Sequence, residues 1–275
     1  MQGSVLYNLG FATAVCVACA IVVSSSAVSL RERQLVNQAL DMQRNVLVAA
    51  GLAAPDEALE AEEIAARFTP IRQVVIDVAS GAATDADPAT FDPRAAAADP
   101  GTSRTAPPNN AGLSRVADQA LVYELLDAGG ALDLVVLPVH GLGLWGLLYG
   151  FVALDADLET IRGLTYYEHK ETPGLGGEVD NPRWKGLWNG RKAFGPTGEP
   201  AIEVARGLAG PPADDPFRVD GLAGATMTSR GVTNMLRFWL DEEGFGPYLD
   251  ALRSRGDARA ATDDGRGRMT AGGAG

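Results

Sequence analysis

Residues 133–155 read DLVVLPVHGLGLWGLLYGFVALD, two apolar runs separated by a glycine-rich connection. The runs at 133–141 and 147–155 are rich in Val, Leu, Tyr and Phe, which is typical of half-buried or buried strands. The connection G-L-G-L-W-G is short, so it predicts a hairpin between two antiparallel strands. Similar composition predicts further strands at residues 72–79, 161–169 and 201–206.

Helical patterns lie before and after these strands. After residue 31, an apolar stripe recurs at helical spacing through Leu35, Ala39, Met42 and Val46, and Gly51 is a stop signal. Further helices are predicted at residues 56–67, from Thr228 or Ser229 to Leu240, and at 246–252. Trp184 and Trp188, four residues apart, predict packing on another short helix. Together the patterns predict an α+β fold with a largely antiparallel sheet and flanking helices.

The chain begins with a long apolar segment. Its first thirty residues carry no charged side chain, and the run at 5–30 exceeds the roughly 20 residues that cross a bilayer. A cleaved signal peptide is the alternative, with Ser25-Ser26-Ala27 as a small-residue cleavage site. No basic region precedes the run, and the run is longer than a usual signal core. We therefore expect a retained transmembrane helix at about residues 8–30.

The composition suggests three regions and a low-complexity insertion. Residues 1–30 are the predicted anchor, residues 31–253 the folded domain, and residues 254–275 a flexible Gly-, Ala- and Arg-rich tail. Residues 82–108 are rich in Ala, Asp, Pro and Thr, which predicts a loop or a poorly ordered insertion. Arg31 and Arg33 follow the anchor, so charge counting alone places the domain in the cytoplasm.

Several functional classes have little support in the composition. The net charge of −12 argues against a nucleic-acid partner, which requires basic patches. Cys16 and Cys19 lie inside the apolar run, so packing in a membrane helix is favoured over a redox or metal role. His140 and His169 are far apart, and no hydrolase motif is present. Transition-metal sites and hydrolysis are therefore not predicted.

A glycine- and threonine-rich stretch, D-G-L-A-G-A-T-M-T-S-R-G-V at 220–232, leads into the predicted helix of the C-terminal region. The N-terminus of a helix has free N–H groups and a positive dipole end, so it binds phosphate. Gly221 and Gly224 let backbone approach closely, and Thr226 presents a hydroxyl where a phosphate can be bound or esterified. The alternative is an ordinary turn with a helix cap.

A second candidate segment follows the predicted strand at 161–169. Residues 171–178, E-T-P-G-L-G-G-E, offer backbone amides, one apolar side chain and flanking carboxylates. Such a loop can lie against a flat heterocycle, and Trp145 on the glycine-flanked hairpin can cover a ring face. The alternatives are an irregular glycine-rich turn and a core tryptophan. The loop is not a dinucleotide fingerprint, because no G-x-G-x-x-G opens a helix here.

Taken in order, these segments resemble a known family. They are the anchor running into A-V-S-L-R-E-R-Q, then L-P-V-H-G-L-G-L-W, Y-Y-E-H-K-E-T-P-G-L-G-G-E-V-D-N-P, D-G-L-A-G-A-T-M-T-S-R-G-V and G-F-G-P-Y-L. The chain is similar to the C subunits (NqrC) of the bacterial sodium-translocating NADH:quinone oxidoreductases. The resemblance covers residues 9–252, is weakest at 82–108 and is absent from the tail.

The resemblance implies a covalent cofactor. Family members carry FMN as a phosphoester on the last threonine of an S/T-G-A-T motif, attached by a separate flavin transferase that uses FAD. That threonine is here Thr226, and Thr228 is a second candidate hydroxyl or a phosphate ligand. Ala223 stands where the family usually has Ser or Thr. The matching positions implied to bind the cofactor are Asp220, Gly221, Gly224 and Ala225, and the implied ring contacts are Trp145, Glu171, Thr172, Leu175 and Gly176.

The resemblance also implies a role and a location. The chain would be an electron-relay subunit that accepts electrons from a membrane-embedded iron centre in neighbouring subunits and passes them to the FMN of another. Its domain would lie in the periplasm, anchored in the bacterial inner membrane, which opposes the charge count. The implied partners are the other subunits, the flavin transferase and the lipid bilayer. Two alternatives remain: the G subunit of an Rnf-type ferredoxin:NAD oxidoreductase, and a non-redox membrane-anchored sensor or scaffold.

Overall fold

The computed structural model describes residues 2–256 and divides the chain into two compact units, Met1–Gln43 and Arg44–Gly275. The first unit is part of one continuous helix, α1 (Gln2–Ala49). Within it, Tyr7–Arg31 is long and apolar enough to cross a membrane, with a mean hydropathy of 2.2. The amphipathic helix predicted after the anchor is thus present as the continuation of the same helix.

The second unit is built on a five-stranded sheet with the strand order β1-β4-β5-β6-β7 and antiparallel pairing throughout. The hairpin predicted from residues 133–155 is confirmed, because Leu142 pairs with Leu147 at its end. The strands of this sheet are β1 (Ile71–Asp77), β4 (Gln119–Leu126), β5 (Leu132–Leu142), β6 (Leu147–Asp155) and β7 (Ile161–Glu168).

Shorter elements complete the unit. Two small sheets join β2 (Ser103–Thr105) with β3 (Arg115–Ala117), and β8 (Glu203–Val204) with β9 (Arg218–Val219). The remaining helices are α2 (Ala61–Phe68), α3 (Pro93–Ala98), α4 (Pro182–Gly186), α5 (Thr226–Leu240) and α6 (residues 246–256), with a 3-10 turn at Gly176–Asp180.

The two faces of the sheet are covered by different helices. Alternate residues of a strand point to opposite faces. Val122 joins the core cluster that includes the buried face of α5, whereas Tyr123 meets Phe68 of α2 edge-on at 6.0 Å. The end of α1 also belongs to this unit, since residues 46–50 are buried. The packing of α5 against the sheet therefore fixes its position. The first turn of α5 lies near the β5–β6 hairpin turn, since both are hydrogen-bonded to Glu171.

The structure differs from the sequence-based expectations in four places. Strand β4 was not predicted, and the strand predicted at 201–206 is reduced to β8, which pairs in parallel with β9 outside the main sheet. The segment 82–108 was expected to be a loop, but it contains α3 and β2. Asp92 caps α3 by accepting from the amides of Arg94 and Ala95. The predicted helix at 56–67 begins later, at Ala61.

Two other expectations concern the C-terminal half. Trp184 and Trp188 pack together as predicted, with their rings edge-on at 5.3 Å and both buried. The helix predicted at 246–252 is present as α6 and extends to residue 256. Most of the tail predicted at 254–275 lies outside the described residues.

Candidate functional site

Helix α5 starts at Thr226, two residues before the predicted start. Gly224 has a φ of 70°, a left-handed conformation that glycine adopts without strain, and it turns the chain into the helix. Ala225 is the N-cap residue and accepts the first helical bond, from the Ser229 amide at 3.0 Å. The Ser229 hydroxyl in turn accepts from the Leu222 amide at 3.2 Å. Through these two hydrogen bonds, Ser229 fixes the start of the helix although the N-cap residue has no polar side chain.

The first turn of α5 has unused hydrogen-bonding capacity. The N-cap is an alanine and supplies no side-chain cap. Within residues 2–256, the amides of Thr226, Met227 and Thr228 have no hydrogen-bond acceptor, and the Thr226 hydroxyl has no partner. Thr226 is exposed. Free amides at the positive end of a helix dipole form a site for an anion.

The two threonines of this turn differ in their surroundings. Thr228 is fully buried, and its hydroxyl donates to Oε2 of Glu171 at 2.5 Å. Its hydroxyl is therefore already committed inside the protein, while that of Thr226 faces outward. Of the two hydroxyls, that of Thr226 is therefore the accessible one.

Glu171 holds three chain segments together. Its side chain is buried, and Oε1 accepts from the amides of Leu144 at 2.9 Å and Trp145 at 3.0 Å in the hairpin turn. With Thr228 on Oε2, one carboxylate fixes the hairpin, the 171–178 loop and the first turn of α5 relative to one another. The predicted ring contact at Glu171 is thus a buried support, and its oxygen atoms are occupied by these donors.

A histidine and a carboxylate orient the start of this loop. The Glu171 amide donates to Nδ1 of His169 at 3.1 Å, so that nitrogen is the acceptor. Nε2 of His169 therefore carries the proton and donates to Asp180 at 2.7 Å. Lys185 adds an ion pair to Asp180 at 3.3 Å. A series of hydrogen bonds, Asp180–His169–Glu171–Thr228, therefore connects the 3-10 turn to α5.

Glycines make this close approach possible. A Cβ atom on Gly143 would lie 2.5 Å from Oε1 of Glu171, and one on Gly176 would lie 2.6 Å from the Thr228 hydroxyl. On α5, a Cβ on Gly231 would lie 2.3 Å from the Leu142 carbonyl oxygen. Each distance is far below van der Waals contact, so the three segments can meet only where side chains are missing.

Apolar side chains stand exposed around this assembly. Trp145 is 64% exposed and Leu175 is 44% exposed, and Leu175 packs over Gly224, whose Cβ position lies 3.0 Å from Cδ2. Thr172 is also exposed. The exposed large apolar residues of the hairpin turn, the loop and the first helical turn are Leu142, Leu144, Trp145, Leu175 and Met227. Exposed apolar groups concentrated in this way are typical of an interaction or ligand-binding surface.

Asp220 and Gly221, two of the residues predicted to bind the cofactor, make their hydrogen bonds within the protein. Asp220 accepts from the Ala209 amide at 2.8 Å through Oδ1, and its carbonyl accepts from Nε1 of Trp184 at 2.8 Å. Gly221 donates to the Gly207 carbonyl, and a Cβ there would lie 2.3 Å from the Ala205 carbonyl oxygen. Both therefore fix the chain that leads into Gly224 and Ala225.

A basic cavity adjoins Thr226 and was not foreseen. It has a volume of about 210 Å³, and its lining includes Thr226, Ser229, Arg206 and Arg230. Arg230 lies four residues after Thr226, a helical spacing that could have pointed to it. Arg206 comes from the segment after β8, and no local pattern connects it with Thr226. A third arginine of the lining, Arg237, is paired with Glu203 at 3.0 Å, which leaves the guanidinium groups of Arg206 and Arg230 to favour an anion here.

Comparisons with known proteins agree with this geometry. Residues 143–241, which contain every predicted site residue, match the FMN-binding domain family. The C subunit of the Na(+)-translocating NADH-quinone reductase of Yersinia pestis is 46% identical over 241 residues, covering 86% of this chain and 89% of the relative. Its counterpart in Pseudomonas aeruginosa is 44% identical over 262 residues, covering 94% and 99%.

Solved structures give the same answer. The crystal structure of Shewanella oneidensis NqrC matches with a TM-score of 0.71 and 37% identity, covering 78% of this chain and 97% of that one. The structure of the same subunit from Parabacteroides distasonis shares the fold, with a TM-score of 0.62 at 24% identity. The extent of these matches decides against the Rnf-type alternative. The chain belongs to the NqrC family, the C subunits of the Na(+)-translocating NADH-quinone reductases.

Proposed function

We propose that this chain is an electron-relay subunit of a sodium-translocating NADH:quinone oxidoreductase and carries FMN as a phosphoester on Thr226. The observation that carries the proposal is the contrast between the two hydroxyls of the first turn of α5. Thr226 is exposed and has no partner within residues 2–256, whereas Thr228 is buried and bonded to Glu171. An acceptor must be reachable by a second protein, and only Thr226 meets that requirement.

The surrounding residues fit an attached flavin phosphate. The free amides of the first turn, with Arg206 and Arg230 nearby, are donors suited to the single negative charge of a phosphodiester. The exposed side chains of Trp145 and Leu175 suit the faces of an isoalloxazine ring. FMN supplies one- and two-electron transfer chemistry when bound, and the protein's part is to place and shield it.

The attachment reaction balances with FAD as donor. The Thr226 oxygen bonds to the phosphorus that carries the riboflavin moiety, and the phosphoanhydride bond of FAD breaks. AMP leaves with the electron pair of that bond, and the hydroxyl proton passes to a base supplied by the transferase or by solvent. No electron changes hands in this step. Ala223 is exposed on the same loop, so the missing Ser or Thr hydroxyl would have faced the transferase.

The proposed setting is the periplasmic side of the bacterial inner membrane. The apolar segment Tyr7–Arg31 would anchor the chain in the lipid bilayer, and the second unit would meet the other subunits of the complex. The two arginines beside Glu32 are a weak charge signal, and long domains translocate largely regardless of such charges. The covalent bond would keep FMN from diffusing away on that side of the membrane.

The proposal is tested by in-gel fluorescence. The full chain is produced with and without a flavin transferase, denatured in SDS and examined for flavin fluorescence in its band. We expect fluorescence that requires the transferase, persists in Thr226→Ser and Thr228→Ala and is lost in Thr226→Ala. The Thr226→Ser variant is the matched control because it keeps the acceptor hydroxyl.

Two results would count against the proposal in different ways. Fluorescence that persists in Thr226→Ala would move the attachment to another residue. A dark wild-type band, with a transferase shown to be active on a known acceptor, would favour the non-redox sensor or scaffold. The relay role is tested separately: a complex assembled with Thr226→Ala should oxidise NADH but reduce quinone far more slowly than the wild-type complex.

A further inference from the structure

The main sheet opens into a cleft at one end, between two neighbouring strands. Strands β4 and β5 pair from Leu126 with Leu132 to Tyr123 with Val136 and then part. Beyond that point β4 pairs only with β1, and β5 only with β6. Pro138 lies in the part of β5 that pairs with β6 alone, and proline, which has no N–H, is found at such strand edges. Helix α3 and the segment before β3 cover the opening.

The parted strands enclose a cavity of about 360 Å³, here called the aromatic cleft. Its volume is within the range of about 300–1,000 Å³ that is usual for small-molecule sites. The residues used below to argue its chemistry are Arg94, Arg115, His140, Tyr149 and Trp239.

Aromatic rings form one wall of the cleft. His140 stacks on Tyr149 with a centroid distance of 5.4 Å and an interplanar angle of 20°, and it lies 4.8 Å from Trp239. Burial and the nearby charge of Arg94 lower the pKa of His140 to about 4, so its imidazole is neutral at pH 7. Neither ring nitrogen of His140 has a hydrogen-bond partner within residues 2–256. Tyr149 has His140 over one face and the Arg94 guanidinium over the other, so a flat ligand ring packs against the edges of this stack.

The charged groups of the cleft are all positive. Arg94 places its guanidinium 4.4 Å from the Tyr149 ring centroid, and Arg115 also lines the cavity. No Asp or Glu is among its lining residues in the described part of the chain. Arg94 is held at the rim by an ion pair with Glu168 at 2.5 Å, and both side chains are close to half exposed. The interior therefore favours a ligand with an apolar ring and an anionic oxygen.

The aromatic cleft is separate from the flavin seat. Trp239 lies near the end of α5 opposite Thr226, roughly 20 Å away at about 1.5 Å of helical rise per residue. Most of its lining, from Pro93 to His140, precedes the part of the chain that matches the FMN-binding domain family. The segment 82–108, with α3, contributes one side of it.

We propose that the aromatic cleft is a binding site for a small aromatic carboxylate. The ligand ring packs beside the rings of His140, Tyr149 and Trp239, and its carboxylate accepts from Arg94 at the rim. Glu168 competes with that carboxylate for the same guanidinium, so it sets the affinity without touching the ligand ring. The site does not depend on the flavin at Thr226.

The test measures binding of 1-naphthoate to the flavin-loaded full chain in detergent by titration calorimetry, with a micelle blank. The neutral 1-naphthamide and the cation 1-naphthylmethylammonium are compared with it. Ala97→Phe fills the cleft from α3, and Ala95→Phe, on an exposed position of the same helix, is the matched control. We expect saturable naphthoate binding that Ala97→Phe weakens at least about tenfold and Ala95→Phe leaves unchanged.

The same titrations test whether the ligand's charge matters and whether binding is independent of the flavin. Naphthamide should bind about tenfold more weakly than naphthoate and the ammonium compound not measurably, because a charge-assisted hydrogen bond to Arg94 is lost. Glu168→Gln should strengthen naphthoate binding several-fold by freeing Arg94. Thr226→Ala, without flavin, should bind naphthoate as the wild type does.

Several results would overturn the proposal. Naphthoate binding no greater than the micelle blank would mean that the cleft takes no small aromatic acid, leaving a partner's side chain as its occupant. Equal affinity in Ala97→Phe would place the ligand elsewhere, and a folded Ala97→Phe is verified by its retained flavin. Binding of the ammonium compound as tight as that of naphthoate would remove the role of Arg94.

Discussion

Three donors from distant parts of the chain converge on one buried carboxylate, that of Glu171. The amides of Leu144 and Trp145 lie 27 and 26 residues away in sequence, and the hydroxyl of Thr228 lies 57 residues away. A buried carboxylate is costly unless its oxygens are hydrogen-bonded, and here both are. The residue therefore fixes the relative positions of the segments that would hold the flavin.

Removing this carboxylate should destabilise the domain and loosen the site. Glu171→Ala leaves the buried Thr228 hydroxyl and two partly buried amides without their partner, at a cost of about 1–3 kcal/mol for a fully buried unsatisfied group and less for the amides. We expect a loss of about 3 kcal/mol in the free energy of unfolding, and Glu171→Gln should lose much less because its amide oxygen still accepts. Urea unfolding followed by tryptophan fluorescence measures both.

Glu242→Ala, at an exposed carboxylate, is the control and should change stability by no more than about 0.5 kcal/mol. If Glu171→Ala were as stable as this control, the three hydrogen bonds would not be holding the segments together.

His140 gives the folded domain a dependence on pH. Its pKa is lowered to about 4, first by burial and then by Arg94, whereas an unfolded histidine titrates near 6.5. As the pH falls below about 6.5, the unfolded chain takes up a proton that the folded chain refuses. The contribution of His140 to stability is therefore complete above pH 6.5 and is lost as the pH falls toward 4.

We expect the difference in unfolding free energy between wild type and His140→Gln to shrink as the pH is lowered from 7 to 4. The slope is at most about 1.4 kcal/mol per pH unit, reduced by the partial exposure of the ring. All other titrating groups are shared, so the difference isolates this histidine. A difference that stays constant across this range would show that the imidazole is not held neutral.

At the scale of elements, the site depends on how closely α5 approaches the β5–β6 hairpin turn. Gly231 lies where a Cβ would be 2.3 Å from the Leu142 carbonyl oxygen. Alanine is normally the better helix residue by about 1 kcal/mol. Here the backbone contact opposes that preference, since a carbonyl oxygen cannot move aside as a flexible side chain can.

Gly231→Ala should therefore be destabilising, by about 1–3 kcal/mol, through displacement of α5 from the hairpin. Gly186→Ala is the matched control: a Cβ at this helical glycine meets nothing within 4 Å, so the change should be neutral or slightly stabilising. Thermal unfolding compares the two. A Gly231→Ala variant more stable than wild type would mean that the close approach is not required.

The sequence predicted those elements whose pattern is local. The hairpin strands are continuous apolar runs with a glycine-rich turn between them, and both were found where expected. Strand β4 was missed because Glu124 interrupts its apolar pattern, although this carboxylate is buried and bonded to Arg72 at 2.7 Å and Tyr248 at 2.6 Å. Those partners come from β1 and α6, so no local pattern reveals them.

The candidate site, too, could be predicted only as far as local sequence patterns reveal it. Thr226 could be singled out from its glycine-rich, hydroxyl-rich neighbourhood, but its exposure and the burial of Thr228 depend on packing against Glu171. The start of α5 was placed too late because its N-cap is an alanine, which gives no capping signal. Arg206 reaches the cavity beside Thr226 only through the fold.

For the whole molecule, the boundary between the two units lies inside α1. Arg44 belongs to the second unit, where Nη2 donates to the carbonyls of Pro55 at 2.9 Å and Glu57 at 3.1 Å. Residues 46–50 are buried, and burying Val46, Leu47 and Val48 is worth about 5 kcal/mol in total. That is comparable with the whole stability of a typical domain, about 5–15 kcal/mol.

A chain shortened to residues 44–275 should therefore be soluble, cooperatively folded and able to accept flavin. A chain shortened to residues 53–275 should aggregate or unfold, since it lacks the buried end of α1. Size-exclusion chromatography and urea unfolding distinguish them. A stable, monomeric 53–275 chain would show that the last turns of α1 are not part of the domain core.

Mass spectrometry of the full chain tests whether FMN is bonded to Thr226. The chain is produced with the flavin transferase, its intact mass is measured, and the modified peptide is fragmented to locate the added group. We expect an increment of one FMN less one water, on the peptide containing Thr226, absent in Thr226→Ala and present in Thr226→Ser. An unmodified chain from cells with an active transferase, or an increment located on any other residue, would contradict it.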